Sequence, residues 1–236
     1  MIDTNSKYYP YQKVQENFAD LSQMAYLPKK ICDYLIDAPK GTYTPKDDNS
    51  YPRCRLWKYL YYDEARPLSL PLPTIQQKMS VVFNPDKASE PPTDKDYRLI
   101  PQEWVQQEQE KAMTRIYCYL GRTIAPHDDN IFSVAVIFDI FTHSTYELNT
   151  KDEVYSRTGA ILTSLIDALN GVNMEGVGTF TMSKRVHPDC CTRSIFDGNT
   201  NVGKELVIAL QLPTTVEQKI GDFSNMPIID KNIKLV

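Results

Sequence analysis

Ile131-Phe132-Ser133-Val134-Ala135-Val136-Ile137-Phe138-Asp139-Ile140 decides the fold, because Phe132, Val134, Val136, Phe138 and Ile140 put an apolar side chain at every second position. A period of two marks a strand with one buried face. The run before it behaves alike: over residues 115–124, Ile116, Cys118, Leu120 and Ile124 fall on one side and Tyr117, Tyr119 and Thr123 on the other. Pro126-His127-Asp128-Asp129-Asn130 between them carries turn chemistry, so the two runs are predicted to pair as an antiparallel hairpin. Alternation turns Asp139 away from the apolar face, and no perturbed acidity is expected of it.

Beyond the hairpin the period becomes helical. Thr150 with Glu153 three residues on reads as a capping box, and Val154, Tyr155, Thr158, Ile161, Leu162, Leu165, Ile166 and Leu169 recur at helical spacing until Asn170-Gly171 stops them. A helix is therefore predicted over residues 150–171. Residues 177–186 alternate again as a strand, and Leu206, Ile208, Leu210 and Leu212 mark another before Pro213. The order β-β-α-β-β implies an α+β fold, an antiparallel or mixed sheet with the helix packed on one face and the other partly exposed.

Upstream, Phe18, Leu21, Met24 and Ala25 predict an amphipathic helix over residues 14–27, and Pro28 starts a second with Ile31, Tyr34 and Leu35 on one face, ending before Pro39. Residues 39–53 read as a loop, while Leu56-Trp57-Lys58-Tyr59-Leu60-Tyr61-Tyr62 fits a short helix or a strand equally well. Pro67-Leu68-Ser69-Leu70-Pro71-Leu72-Pro73 fixes φ at intervals and predicts an extended arm barred from a sheet interior. Its Leu68, Leu70 and Leu72, with Pro71 and Pro73, are the candidate interface, since an arm cannot bury both of its own sides. A second loop is predicted over residues 84–96, and residues 100–111 are Gln/Glu-rich without a clear period. The chain thus divides into an N-terminal part of helices, loops and arm (1–113), a β-β-α-β-β body (114–213) and a C-terminal arm (214–236).

Sixteen prolines against nine glycines, with 15 tyrosines, favour pinned extended stretches and amphipathic rings suited to protein contacts. A net charge of -4 argues against broad nucleic-acid binding, which needs a concentrated excess of Lys and Arg. No apolar run approaches the roughly 20 residues that span a bilayer, and the first residues show no secretory signal. Cys32, Cys54, Cys118, Cys190 and Cys191 are odd in number and scattered, which fits a reducing cytoplasm.

No constellation of catalytic residues emerges. His127, His143 and His187 fall in a turn, at a strand end and in a loop, with a structural hydrogen bond expected for His143. Cys190-Cys191 after His187 lacks the spacing of a zinc site, and Asp128-Asp129-Asn130 lacks the closing Glu of a calcium loop. Gly176-Val177-Gly178 precedes a strand and reads as a tight return from a helix, not a phosphate loop. Trp57, Tyr59, Tyr61, Tyr62 and Trp104 read as packing, because no basic groove accompanies them. The expectation is a non-enzymatic protein without cofactor or metal.

Arg157-Thr158-Gly159-Ala160-Ile161-Leu162, Leu169-Asn170-Gly171, the run from Gly176-Val177-Gly178 to Ser183-Lys184-Arg185, and Gly203-Lys204-Glu205-Leu206-Val207-Ile208 together resemble the neck proteins of tailed bacteriophages. That family includes head-to-tail connector and tail-completion subunits. The Leu27-Pro28 helix, the aromatic cluster at residues 57–62 and Phe138-Asp139-Ile140 are similar to it as well. The resemblance implies a homo-oligomeric ring below the portal protein, with other neck or tail proteins docked on it and DNA passing through without sequence-specific binding. It also implies a place in the virion neck, and in the host cytoplasm during assembly. Two other readings stand beside it: another virion subunit (tail terminator, baseplate or internal cargo), and a small-molecule enzyme or binding domain whose site is built from distant residues.

Overall fold

In a computed structural model, which describes residues 21–36, 49–83, 96–103, 112–124, 131–151, 156–174, 177–197 and 200–213, the expected hairpin is present and longer than its signal. β2 (Thr114–Ile124) pairs antiparallel with β3 (Ile131–His143), the register shifting between Leu120 and Thr123. β3 then pairs antiparallel with β7 (Asn201–Pro213) without interruption, from Ile131 opposite Pro213 to His143 opposite Asn201. This long ladder is the spine of a mixed sheet that has seven strands among the described residues.

The far edge of β7 is shared. β6 (Cys191–Asp197) takes Asn201 to Val207, and β5 (Gly178–Thr181) takes Ala209 to Gln211. β4 (Asn173–Met174) lies outside β5, and β1 (Leu99–Ile100) runs parallel to β2 at Ile116 and Tyr117. Gly178 has φ +141, and a Cβ there would clash with the Gln211 carbonyl, so β5 reaches β7 only as glycine. The strand predicted over residues 177–186 is therefore shorter, ending at Thr181 before a turn, and β6 was not foreseen.

Helix α5 (Arg157–Leu169) starts later than its predicted box. Ser156 caps it, its Oγ accepting from the Gly159 N–H at 3.0 Å. Thr150 instead closes a preceding helix, α4 (Ser144–Asn149), and its hydroxyl donates to the Tyr146 carbonyl; Glu153 lies outside the described residues. The acid at the start of α5 is Glu147, whose carboxylate accepts from the Thr158 N–H and from the Ser156 and Thr158 hydroxyls.

The aromatic run is a helix, α2 (Pro52–Tyr61), with Pro52 in its first turn. Its Trp57 is buried and donates Nε1–H to the Leu35 carbonyl of α1 (Leu27–Ile36) at 2.6 Å. Residues Leu21–Tyr26 form a 3-10 turn running straight into α1, so Pro28 marks no break; residues 14–20 lie outside the described residues, as do residues 84–95 of the loop predicted over 84–96 and the arm at 214–236. The Pro-rich arm needs a correction. It opens with a 3-10 turn at Pro67–Ser69, buries Pro67 and Pro73, and packs Leu68 and Leu72 on its own core. The Tyr62 hydroxyl donates to the Pro71 carbonyl, and Asn49 Nδ2 and Lys58 Nζ donate to that of Leu68, so neighbouring side chains supply what proline denies the backbone. A capping box between Thr74 and Gln77 then starts α3 (Ile75–Ser80).

One core joins these parts. Val134, Val136, Phe138 and Ile140 of β3 and Leu206, Ile208, Leu210 and Leu212 of β7 meet Ile161, Leu165 and Leu169 of α5, with α1 and α2 closing the cluster. The opposite face is partly exposed, as expected, at Tyr119, Ile137 and Arg193, but Ala135, Phe141, Val207 and Ala209 on it are buried, and Phe83, Ile100, Tyr117 and Phe141 form a second cluster there. Leu165→Ala should cost about 2–5 kcal/mol through lost burial and a cavity. Urea unfolding would detect it as a lower midpoint, and an unchanged midpoint would remove Leu165 from the core.

Candidate functional site

The partly covered outer face carries charge at one level across the strands. Tyr117 of β2 stands in register with Asp139 of β3, Asp139 with Glu205 of β7, and Glu205 with Arg193 of β6. Arg193 grips Glu205 with two bonds, Nε to Oε1 at 2.6 Å and Nη2 to Oε2 at 2.7 Å. The Tyr119 hydroxyl donates to Asp139 Oδ2 at 2.8 Å. Asp139 is only 4% exposed, and burial, with the charges of Glu205 and Glu103 adding to it, lifts its carboxyl to about 6. Alternation does point Asp139 away from the helix side. Its acidity is perturbed nonetheless, because the other side is buried as well.

The two described histidines, His143 and His187, serve structure. His143 Nδ1 accepts from the Thr145 N–H and caps α4, and the hydrogen bond of Asp139 goes to Tyr119. His187 is fully buried; its Nδ1 accepts from the Asp189 N–H, so the Nε2 that faces the Arg122 carbonyl at 2.9 Å carries the proton. It ties the β5–β6 connection to the end of β2, where Arg122 also pairs with Asp189. His127, Asp128-Asp129-Asn130, Trp104 and Gly176 lie outside the described residues. Cys32, Cys54, Cys118 and Cys190 are buried thiols, and burial pushes that of Cys32 well up. Among the described residues no three His, Cys, Asp or Glu side chains gather to hold a metal ion.

Sequence reading missed the work of Arg157. Fully buried at the start of α5, it donates Nη1 to the Tyr62 carbonyl, Nη2 to that of Glu64 and Nε to Thr150 Oγ1, and its guanidinium lies over the Tyr146 ring. One side chain thus pins the chain leaving α2 to the start of α5, just ahead of the Pro-rich arm.

Beside that arm lies the exposed apolar surface. Leu70 is half-buried and Pro71 exposed, and α3 follows with Ile75 at 53% and Met79 at 60% exposure, one turn apart on a capped helix. Leu68, Leu72 and Pro73 of the candidate interface face their own body, so Leu70, Pro71, Ile75 and Met79 are the part left for another chain. Met79 also borders a small cleft lined by Lys29, Cys32, Asp33, Val82, Phe83 and Pro101.

A family model described as YomW matches residues 54–198, from the first turn of the aromatic helix to just past the end of β6. No curated protein and no solved structure matches the chain. Among the described residues no helix is long and apolar enough to cross a membrane.

Arg157→Met should lower stability by about 1–3 kcal/mol, because it strips two part-buried carbonyls of a charged donor. Arg157→Lys, whose ammonium lacks the planar fork, should fall between the two. Denaturant midpoints of the three proteins test this, and a Met variant as stable as the parent would show that the clamp contributes nothing.

Proposed function

The chain belongs to the YomW family, a phage-derived family of the Bacillus phage SPbeta kind, and from that premise we propose that it is a structural virion subunit of the neck or head-to-tail connector. In this reading identical copies close a ring between portal and tail, other neck or tail proteins dock on it, and DNA passes through without sequence-specific contact. Assembly takes place in the host cytoplasm, and the finished subunit resides in the virion neck.

The observation that carries the proposal is the fixed apolar strip of Leu70, Pro71, Ile75 and Met79. Exposed apolar side chains on a loose loop would mean little. Here the arm is hydrogen-bonded to its own body and α3 is capped at Thr74, so the strip is held in one geometry and ordering it on contact costs little. Ring closure needs a heterologous contact, one patch of each copy meeting a different patch of the next, and a preformed strip on a rigid α+β body supplies one half of it. The net charge of -4 suits a channel wall past which phosphates slide.

The experiment is sedimentation and negative-stain imaging of the protein alone and mixed with portal, for the parent and for Ile75→Glu with Met79→Glu. The parent should form rings or bind portal. The double variant, altered only at exposed positions, should stay folded and no longer assemble. Unaltered assembly of the variant would reject the strip as the contact; a parent that stays monomeric at every concentration, with and without portal, would reject the ring.

A further inference from the structure

The exposed strip ends at Met79, and Met79 borders a cleft built by three separate pieces of chain. Cys32 and Asp33 come from α1, Met79, Val82 and Phe83 from the end of α3 and the residues after it, and Pro101 from just beyond β1. Cys32 and Phe83 are buried and Val82 is half-buried, which makes the floor apolar, while Asp33 stands exposed at the rim. The cleft holds about 70 Å³. An apolar cavity of about 150 Å³ takes up benzene and a drug-sized ligand fills roughly 300–1,000 Å³, so this one suits the branched end of a single aliphatic side chain. Burial raises the Asp33 carboxyl and Lys29, one turn back on α1, opposes it, so a further cation at the rim would stabilise the ionised acid.

The chain carries a segment of matching chemistry. Residues 214–236, outside the described residues, include Lys231-Asn232-Ile233-Lys234-Leu235-Val236, which has two cations and no acid in a chain of net charge -4. In an extended segment Lys231, Ile233 and Leu235 fall on one side, roughly 7 Å apart in turn. One cation followed by two aliphatics answers an acidic rim, an apolar cleft and an apolar strip. Reach does not limit the match: β7 delivers the chain at Pro213, and residues 214–230 extended would span up to about 55 Å, more than the roughly 40 Å of the whole β3–β7 ladder.

We propose that residues 231–236 of one copy occupy the cleft and strip of the next, with Ile233 entering the cleft, Leu235 lying along Met79 and Ile75, and Lys231 meeting Asp33. Resting on the ring reading, this contact supplies the half that the strip lacks. Arm and cleft are different patches of the same chain, so the contact is heterologous and repeats from copy to copy until the ring closes. Pockets for alternate side chains give such an extended arm its specificity.

Charge exchange in the full-length protein tests the pairing. Asp33→Lys alone and Lys231→Glu alone should each raise the concentration of half-maximal assembly, read by sedimentation, about tenfold, and the two together should restore it to within about threefold of the parent. Singles that assemble like the parent, or a double variant no better than either, would overturn the contact. Ile233→Glu with Leu235→Glu should stay folded by circular dichroism and remain monomeric. Rings that persist in that variant would reject the arm as occupant and leave the strip reading standing, whereas a parent that never assembles would reject both. Mixing separates docking between copies from docking within one. Copies bearing Asp33→Lys with Met79→Glu, mixed with copies bearing Ile233→Glu with Leu235→Glu, should form a dimer, since each keeps the half that the other has lost. No dimer in the mixture, with parent rings intact, would mean that the arm lies on its own cleft or that something else fills it, and would overturn the proposal.

Discussion

The uninterrupted ladder between β3 and β7 is the constraint on which the rest of the molecule depends. Because side chains alternate, slipping this register by one residue would move Val136, Phe138, Leu206 and Ile208 off α5 and bring Asp139 and Glu205 into the apolar core. A buried charge there without a partner would cost far more than the ladder's hydrogen bonds contribute. Register and core therefore specify one another. β7 also organises what lies beyond it, since β6 and β5 divide its free edge and β2 completes the other side of β3. The connection between β5 and β6 then reaches back to β2 through His187 and closes the arrangement.

Burying both faces of a sheet at its centre is common where helices cover both sides, but here Phe83, Tyr97 and Ile100 pack against Tyr117 and Phe141 on the second side. That cover shelters a mixed set of side chains. Phe141 and Ala209 suit it, whereas Asp139 and Glu205 do not, and the chain handles the two acids differently: Glu205 receives a bidentate arginine, and Asp139 receives one tyrosine hydroxyl and a raised affinity for a proton. Arg157 shows the same economy on the helix side, one guanidinium serving the carbonyls at which α2 gives way to the arm. Fixing that exit sets where the arm and α3 lie, and with them the exposed strip.

Legibility from sequence followed side-chain periodicity. β2, β3 and β7 were readable because Ile116, Cys118 and Leu120, Val134, Val136, Phe138 and Ile140, and Leu206, Ile208, Leu210 and Leu212 are apolar at consecutive helix-facing positions, and the α5 stripe of Ile161, Leu165 and Leu169 was readable for the same reason. β6 was not, since Cys191-Thr192-Arg193-Ser194-Ile195 puts only hydroxyls on the alternate positions between Cys191 and Ile195, and its place comes from pairing rather than burial. β1, with two residues, is too short for any period. The start of α5 escapes a box spacing because its cap, Ser156, is local while the acid that serves it, Glu147, comes from the preceding helix. Proline bars the arm from a sheet interior, which suggests Leu68 and Leu72 face outward, yet an arm held by side-chain donors can still lie on a core. The outer-face row was invisible for a related reason: strand period tells which face a residue occupies, not whether that face is covered.

For function, family membership places the chain with phage proteins, and the preformed apolar strip on a rigid body is what favours a role in assembly over one in chemistry. The most direct test is quantitative mass spectrometry of phage particles purified, nuclease-treated and washed in high salt. A neck subunit should be present in a fixed ratio to portal protein, at several copies per particle, in full and DNA-free particles alike. A chain abundant in infected cells but absent from such particles would contradict the account.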